Sequence, residues 1–153
     1  MLKTILLLLP PAFILLLAIL AVQNNRIPGN LGVRQGRLAP LPASPNAVSS
    51  QTGSNDRQVA PLPFKGDLQQ TRTSLLQAIG RYPGKKEIIA DTTTYIHCVF
   101  RTAHLGFKDD VEFHLDAVEQ LIHFRSASRV GYSDLGMNRK RYHTLASLYL
   151  GKD

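Results

Sequence analysis

The sequence predicts an α+β domain: a four-stranded antiparallel sheet packed against two helices and preceded by one transmembrane helix. Three observations lead there. An uncharged apolar run opens the chain; helical apolar spacing recurs at residues 67–82 and 138–150; and four runs rich in β-branched and aromatic residues lie between those two stretches. One helix, four strands and a final helix, in that order, suit a sheet of hairpins with helices on one face.

Residues 5–22 are eighteen positions without charge, enough helix for a hydrocarbon core of roughly 30 Å. Residues 1–22 therefore read as a transmembrane anchor or uncleaved signal. Ala18 and Ala21 lack the spacing of a signal cleavage site, and no cysteine follows the run, which excludes a lipoprotein. Pro10 and Pro11 kink such a helix. Charge bias sets Lys3 on one side against Arg26, Arg34 and Arg37 on the other and argues for a cytoplasmic domain, whereas a short flank with an early lysine is how secretory signals begin. The second consideration is the one adopted. The expectation is a single-pass protein, partnered with the membrane through residues 5–22, whose domain is extracytoplasmic, in a periplasm or lumen.

Residues 23–58 turn to Asn, Gly, Pro, Ser and Gln, with Pro28, Pro40, Pro42 and Pro45 spaced through them. They read as a tether, partly docked on the domain. The α+β domain is residues 59–153, and all nine prolines lie at or before Pro83, leaving its later part open to uninterrupted ladders. In residues 67–82, Leu68, Leu75, Leu76 and Ile79 form the apolar stripe, Asp67 suits the amino-terminal cap and Pro83-Gly84 stops the helix. Strands are expected at 87–91, 94–102, 110–116 and 120–127. In the helix at 138–150, Tyr142, Leu145, Leu148 and Tyr149 share a face and Gly151 terminates it.

A tight turn at Ala117-Val118 would pair residues whose numbers sum to 235, setting Phe113 opposite Ile122, Val111 opposite Phe124, Glu112 opposite His123 and Asp110 opposite Arg125. Alternation then gives an inner face of Ile96, Cys98, Phe100, Val111, Phe113, Leu115, Ile122 and Phe124. The outer, solvated face carries Tyr95, His97, Arg101, Glu112, His114, Asp116, His123 and Arg125.

The chain holds 18 Lys+Arg against 11 Asp+Glu, a formal charge of +7, which suits anionic partners in general. Nucleic acid is disfavoured because no stacking platform is interleaved with the basic residues. Cys98 is the one cysteine, so no intrachain disulfide forms, and its apolar strand position suits a buried inert thiol. Three histidines on the outer face invite a metal, but no short His/Cys spacing marks a site; neither metal nor other cofactor is expected.

The densest polar segment is residues 125–141, RSASRVGYSDLGMNRKR. With the acids before it, the candidate site is Asp109, Asp110, Arg125, Ser126, Ser128, Arg129, Asp134, Asn138, Arg139 and Arg141, acting either as a ligand site or as an ion-pair network. Arg139, Lys140 and Arg141 fall in the first turn of the last helix, where cations oppose the macrodipole. Asp109, Asp110, Glu112 or Asp134 could offset them from within, and an anionic ligand could do so from outside. Ser126, Ser128, His97, His123 and the Asp109-Asp110 pair are the groups with catalytic chemistry, yet no nucleophile motif frames them, and no catalytic residue is assigned.

LGVRQGRLAPLPASPNAVSSQT at residues 31–52, FKDDVEF at 107–113 and the segment at 125–141 resemble the family known as domain of unknown function 1499. The resemblance spans nearly all of residues 31–150. It implies a small envelope-associated or organelle-lumenal domain, usually behind a signal or anchor, and supplies no activity, substrate or cofactor. The family commonly has cysteines where this chain has Leu41 and Ala47, so the resemblance implies no cysteine mechanism here; it also implies that residues 45–50 dock on the domain. The expected function is a membrane-anchored, non-enzymatic envelope domain whose Arg-rich corner binds an anionic ligand or an envelope protein. The alternative is a hydrolase-like enzyme with Ser/His/Asp residues near that corner.

Overall fold

A computed structural model of the chain describes residues 2–103 and 105–152, with side chains from Pro11 onward. In chain order the elements are α1 (Leu2–Asn25), β1 (Val33–Arg34), β2 (Arg37–Leu38), β3 (Ala47–Ser49), β4 (Leu62–Pro63), α2 (Leu68–Arg81), β5 (Lys85–Asp91), β6 (Tyr95–Arg101), β7 (Lys108–Asp116), β8 (Leu121–Ser128) and α3 (Met137–Leu150). The expected strands and the two domain helices form close to their anticipated positions. Asp67 caps α2 through a capping box, accepting from Gln70 N at 2.8 Å while Gln70 Oε1 accepts from Asp67 N at 3.2 Å.

The sheet corrects the expected four strands to six. The order β3-β8-β7-β6-β5 is antiparallel throughout, and β4 also pairs with β8. Ala47, Val48 and Ser49 face Ala127, Ser126 and Arg125, while Leu62 and Pro63 face Ile122 and Leu121. Two short pieces of the Pro-rich region thus cover successive lengths of one edge. Strands of two or three residues carry no readable alternation; their pairing comes from the N–H and C=O groups that β8 would otherwise expose.

The transmembrane helix is likewise corrected. Among the described residues no helix is long and apolar enough to cross a membrane. Residues 5–10 of the expected span lie outside the described side chains. The end of α1 is polar and contacts the domain: Asn24 Nδ2 donates to Gly106 O (3.0 Å) and Asn24 Oδ1 accepts from Lys108 N (2.8 Å).

The β7–β8 register is offset by two residues from the expected one. Phe113 faces Phe124, Glu112 faces Arg125, Asp110 faces Ala127 and Asp116 faces Leu121, because the turn holds four residues rather than two. Asp116 Oδ1 accepts from Val118 N (2.9 Å) and Glu119 N (3.0 Å), and Gln120 takes the left-handed conformation at φ 55°. An even offset preserves the faces, so every residue expected on the inner face belongs to the core, with Leu75, Ala78 and Ile79 of α2 and Tyr142, Leu145 and Tyr149 of α3. Phe113, Phe124 and Tyr142 pack with ring centroids 5.3 and 5.2 Å apart.

The outer face is largely buried, contrary to expectation, with Arg101 alone of its expected residues exposed. His97, Asp110, Glu112, His114, His123 and Arg125 are all buried. The β1–β2 hairpin contacts this face: Leu38 is buried, and Gly32 N donates to Glu112 Oε1 at 2.8 Å. Gln35 (φ 52°) and Gly36 (φ 73°) form its two-residue turn, both positive as a type I′ hairpin requires.

Candidate functional site

Alternation along β7 and β8 divides the Arg-rich corner between the two faces of the sheet. On the helix side, Arg141 Nη2 lies 2.5 Å from Asp109 Oδ2, and Nη1 donates to Asn138 Oδ1 (2.7 Å) and Ser126 Oγ (3.2 Å). The Ser126 hydroxyl donates to Asn138 Oδ1, whose Nδ2 donates to Asn46 O (2.8 Å) and Ser128 Oγ (3.0 Å). The Arg141 guanidinium also lies 5.1 Å from the Phe100 ring centroid. Asp134 serves the start of α3, accepting from Asn138 N (2.7 Å) and Gly136 N (3.1 Å), and its charge favours a helix amino terminus. Of the cations that oppose that dipole, Arg141 is offset within the chain by Asp109, while Asp134 supplies negative charge to the helix end itself.

On the other face, Arg129 holds Asp110 with two bonds, Nε to Oδ2 and Nη2 to Oδ1, both 2.8 Å, and His97 Nε2 is 2.8 Å from the same Oδ1. Arg125 Nη1 meets Glu112 Oε2 at 2.7 Å, while Glu112 Oε1 accepts from Tyr95 Oη and Gly32 N, both at 2.8 Å. Arg125 is thus partnered by Glu112, not by Asp110. Arg129 Nη1 reaches Asn24 O at 3.3 Å, so the network ties the amino-terminal segment to the sheet.

Burial alone would raise the Asp110 carboxyl, but hydrogen bonds from Arg129 and His97, with their charge, outweigh it and hold the group below its ordinary value of 3.8. A depressed carboxyl stabilises the fold at pH above that ordinary value, and the contribution is lost as pH falls through the folded value. Urea midpoints are expected to fall below about pH 4, in addition to a decline below about pH 6.5 from the depressed His114, with Asp110→Asn removing part of the fall below about pH 4 only. An unchanged acid limb in that variant would assign the loss to other carboxylates. Burial, then the Asp91 charge, pushes the Cys98 thiol up to about 12, which keeps it protonated and unreactive.

Of the expected site residues, Asp109, Ser126, Ser128, Asp134, Asn138 and Arg141 meet on the helix side, and Asp110, Arg125 and Arg129 on the other. Arg139 stands apart and donates to Asp56 O at 2.7 Å. Ser126 and Ser128 have no histidine among the partners given above, and His97 has no serine.

A cleft of about 630 Å³ lies elsewhere, and none of those ten residues lines it. Its walls are the hairpin turn at 35–37, the loop at 50–53, and Asp116, Glu119 and His123 at the β7–β8 turn. Gln51 joins the first two walls, its backbone oxygen accepting from Arg37 Nη2 (3.0 Å) and its Oε1 from Leu38 N (2.9 Å). His123 Nδ1 is 3.4 Å from Ser50 Oγ, and its Nε2 is 3.3 Å from Glu119 Oε2. The His114 ring stacks on His123 at 6.0 Å between centroids, and burial lowers its pKa. Arg34 and Arg37 face each other across the hairpin, both exposed. Among the described residues neither has a carboxylate partner within 4.0 Å.

Sequence reasoning missed this cleft because its walls lie far apart along the chain. The motif at residues 31–52, with its implication that residues 45–50 dock, was the available signal.

Residues 37–148 match a family model described as "Protein of unknown function (DUF1499)". No curated protein and no solved structure matches the chain.

Proposed function

We propose, for a chain that belongs to the DUF1499 family of proteins of unknown function, a non-enzymatic envelope domain that binds a small anionic ligand at the β1–β2 hairpin bordering the cleft. The observation that carries this reading is the facing pair Arg34 and Arg37. Like charges directly opposite on a hairpin destabilise it, and these two lack the carboxylates that accompany Arg125, Arg129 and Arg141. An anion bridging both guanidiniums relieves the repulsion and accepts charge-assisted hydrogen bonds. The Arg125–Arg141 corner, on this reading, fastens the fold and leaves ligand binding to the hairpin. Lys3 followed by the uncharged residues 5–22 supports delivery to the extracytoplasmic side; protease protection of the domain in intact cells tests that placement, and a cytoplasmic result overturns it.

Calorimetric titration of the full chain with orthophosphate is expected to give saturable binding that weakens with ionic strength. Arg37→Ser and Arg34→Ser should each weaken it about tenfold, the loss of one charge-assisted contact of about 1.4 kcal/mol, with the fold retained. Absence of binding, or binding indifferent to both substitutions, overturns the reading.

Hydrolysis is the second reading, favoured by the Ser50, His123, Glu119 sequence of contacts at 3.4 and 3.3 Å. Against it, Ser50 Oγ already accepts from Phe124 N at 2.9 Å, which gives the hydroxyl a structural task. Turnover of an ester that disappears in a folded Ser50→Ala variant would favour the enzyme.

A further inference from the structure

We infer that Asp116, Glu119 and His123 form a binding site for a first-row divalent cation of the zinc or manganese type. One ligand atom from each lies within 4.8 Å of the others, and all three line the cleft. The inference goes beyond the anion reading and does not depend on Arg34 or Arg37.

The hydrogen bonds around His123 carry the argument. Ser50 Oγ accepts from Phe124 N at 2.9 Å and lies 3.5 Å from Phe124 O, so it has a lone pair to accept from the Nδ1–H tautomer of His123, 3.4 Å away. That tautomer leaves a lone pair on Nε2, which faces Glu119 Oε2 at 3.3 Å. A cation between those two acceptors satisfies both, as a proton does in its absence. An ion bonded to both at roughly 2.0–2.1 Å would subtend about 105° at that separation, close to the tetrahedral angle. Ser50 then orients the ligating ring through its other nitrogen, as partners of metal-bound histidines commonly do.

Two further features fit. Asp116 has one oxygen committed to the turn, through Val118 N and Glu119 N, which fixes the side chain and leaves its second oxygen free of the turn. His114, nine-tenths buried and stacked on His123, has an Nδ1 without a hydrogen-bond partner. Mixed imidazole and carboxylate donors select zinc or manganese over calcium and magnesium, which prefer oxygen alone. The spacing, three residues from Asp116 to Glu119 and four more to His123, escaped the search for short His/Cys pairs because the four-residue turn brings the acids to the histidine.

The test uses the full, untagged chain in phosphate-free buffer, titrated separately with ZnCl₂ and MnCl₂. One saturable site per chain is expected, with Mn²⁺ broadening amide resonances of residues 50–53 and 116–123. His123→Ala and Glu119→Gln should each weaken binding tenfold or more; Glu119 is exposed, so its variant keeps the fold if His123→Ala does not. No saturable binding of either ion, broadening centred on other residues, or unchanged affinity in Glu119→Gln would each overturn the assignment. Orthophosphate binding by the metal-free chain is scored separately and decides only the anion reading.

Discussion

Glu112→Ala is expected to lower the unfolding free energy by about 3–5 kcal/mol, the cost of leaving a buried charge without its partner. Glu112 is 0% exposed and Arg125 4%, so water cannot replace the carboxylate. Arg125 Nε already lacks a partner, and the variant would also release Nη1, Tyr95 Oη and Gly32 N. Domains of this size are commonly stable by only 5–15 kcal/mol. Urea unfolding measures the loss, and a second readout identifies its cause. Gly32 N bonds the hairpin to Glu112, so trypsin should cut after Arg34 and Arg37 faster in Glu112→Ala than in a control of matched stability. A loss below about 1 kcal/mol, with unchanged proteolysis, would mean the pair is solvated.

Arg141→Ala is expected to cost a similar amount, about 3–5 kcal/mol. Asp109 is 3% exposed, and without the guanidinium its carboxylate is buried and unpaired, while Asn138 Oδ1 and Ser126 Oγ lose a donor. The double variant Asp109→Leu with Arg141→Met removes both charges at similar volume, and should recover most of the loss, as apolar replacements of buried ion pairs often do. It also separates fastening from binding: a refolded double variant should keep the orthophosphate affinity of the parent. Loss of that affinity in a folded double variant would return the ligand to the corner.

Where the sequence was legible, the reason is periodicity. Leu75 and Ile79, Tyr142, Leu145 and Tyr149, and the alternation from Ile96 to Phe124 are properties of single elements, readable without knowing what packs on them. The register failed at a point that single elements do not encode: Gln120 adopts a left-handed conformation usually signalled by Gly or Asn, and Asp116 closes the turn with its side chain. The short strands β3 and β4 exist because β8 has an edge to cover. Asp109, Asp110, Glu112 and Asp134 were legible as internal partners for the cations. Their assignments were not, since neighbours in sequence such as Arg125 and Ser126 lie on opposite faces of the sheet.

The cleft was the least legible part, because the turn at Gln35-Gly36, the loop at Gln51 and the turn beside Asp116 meet only once the Pro-rich segment packs on the outer face. That packing also explains why so many charged residues tolerate burial. Glu112 bonds the hairpin through Gly32 N, and Arg129 reaches Asn24 O, so the buried network fixes the layer that carries Arg34 and Arg37.

The most direct test is a map of backbone amide shifts in the full chain as orthophosphate is added. Shifts confined to residues 34–37 and 50–53, and needing about tenfold more orthophosphate in Arg37→Ser, are the predicted result; shifts centred on residues 125–141, with the hairpin unmoved, would contradict it.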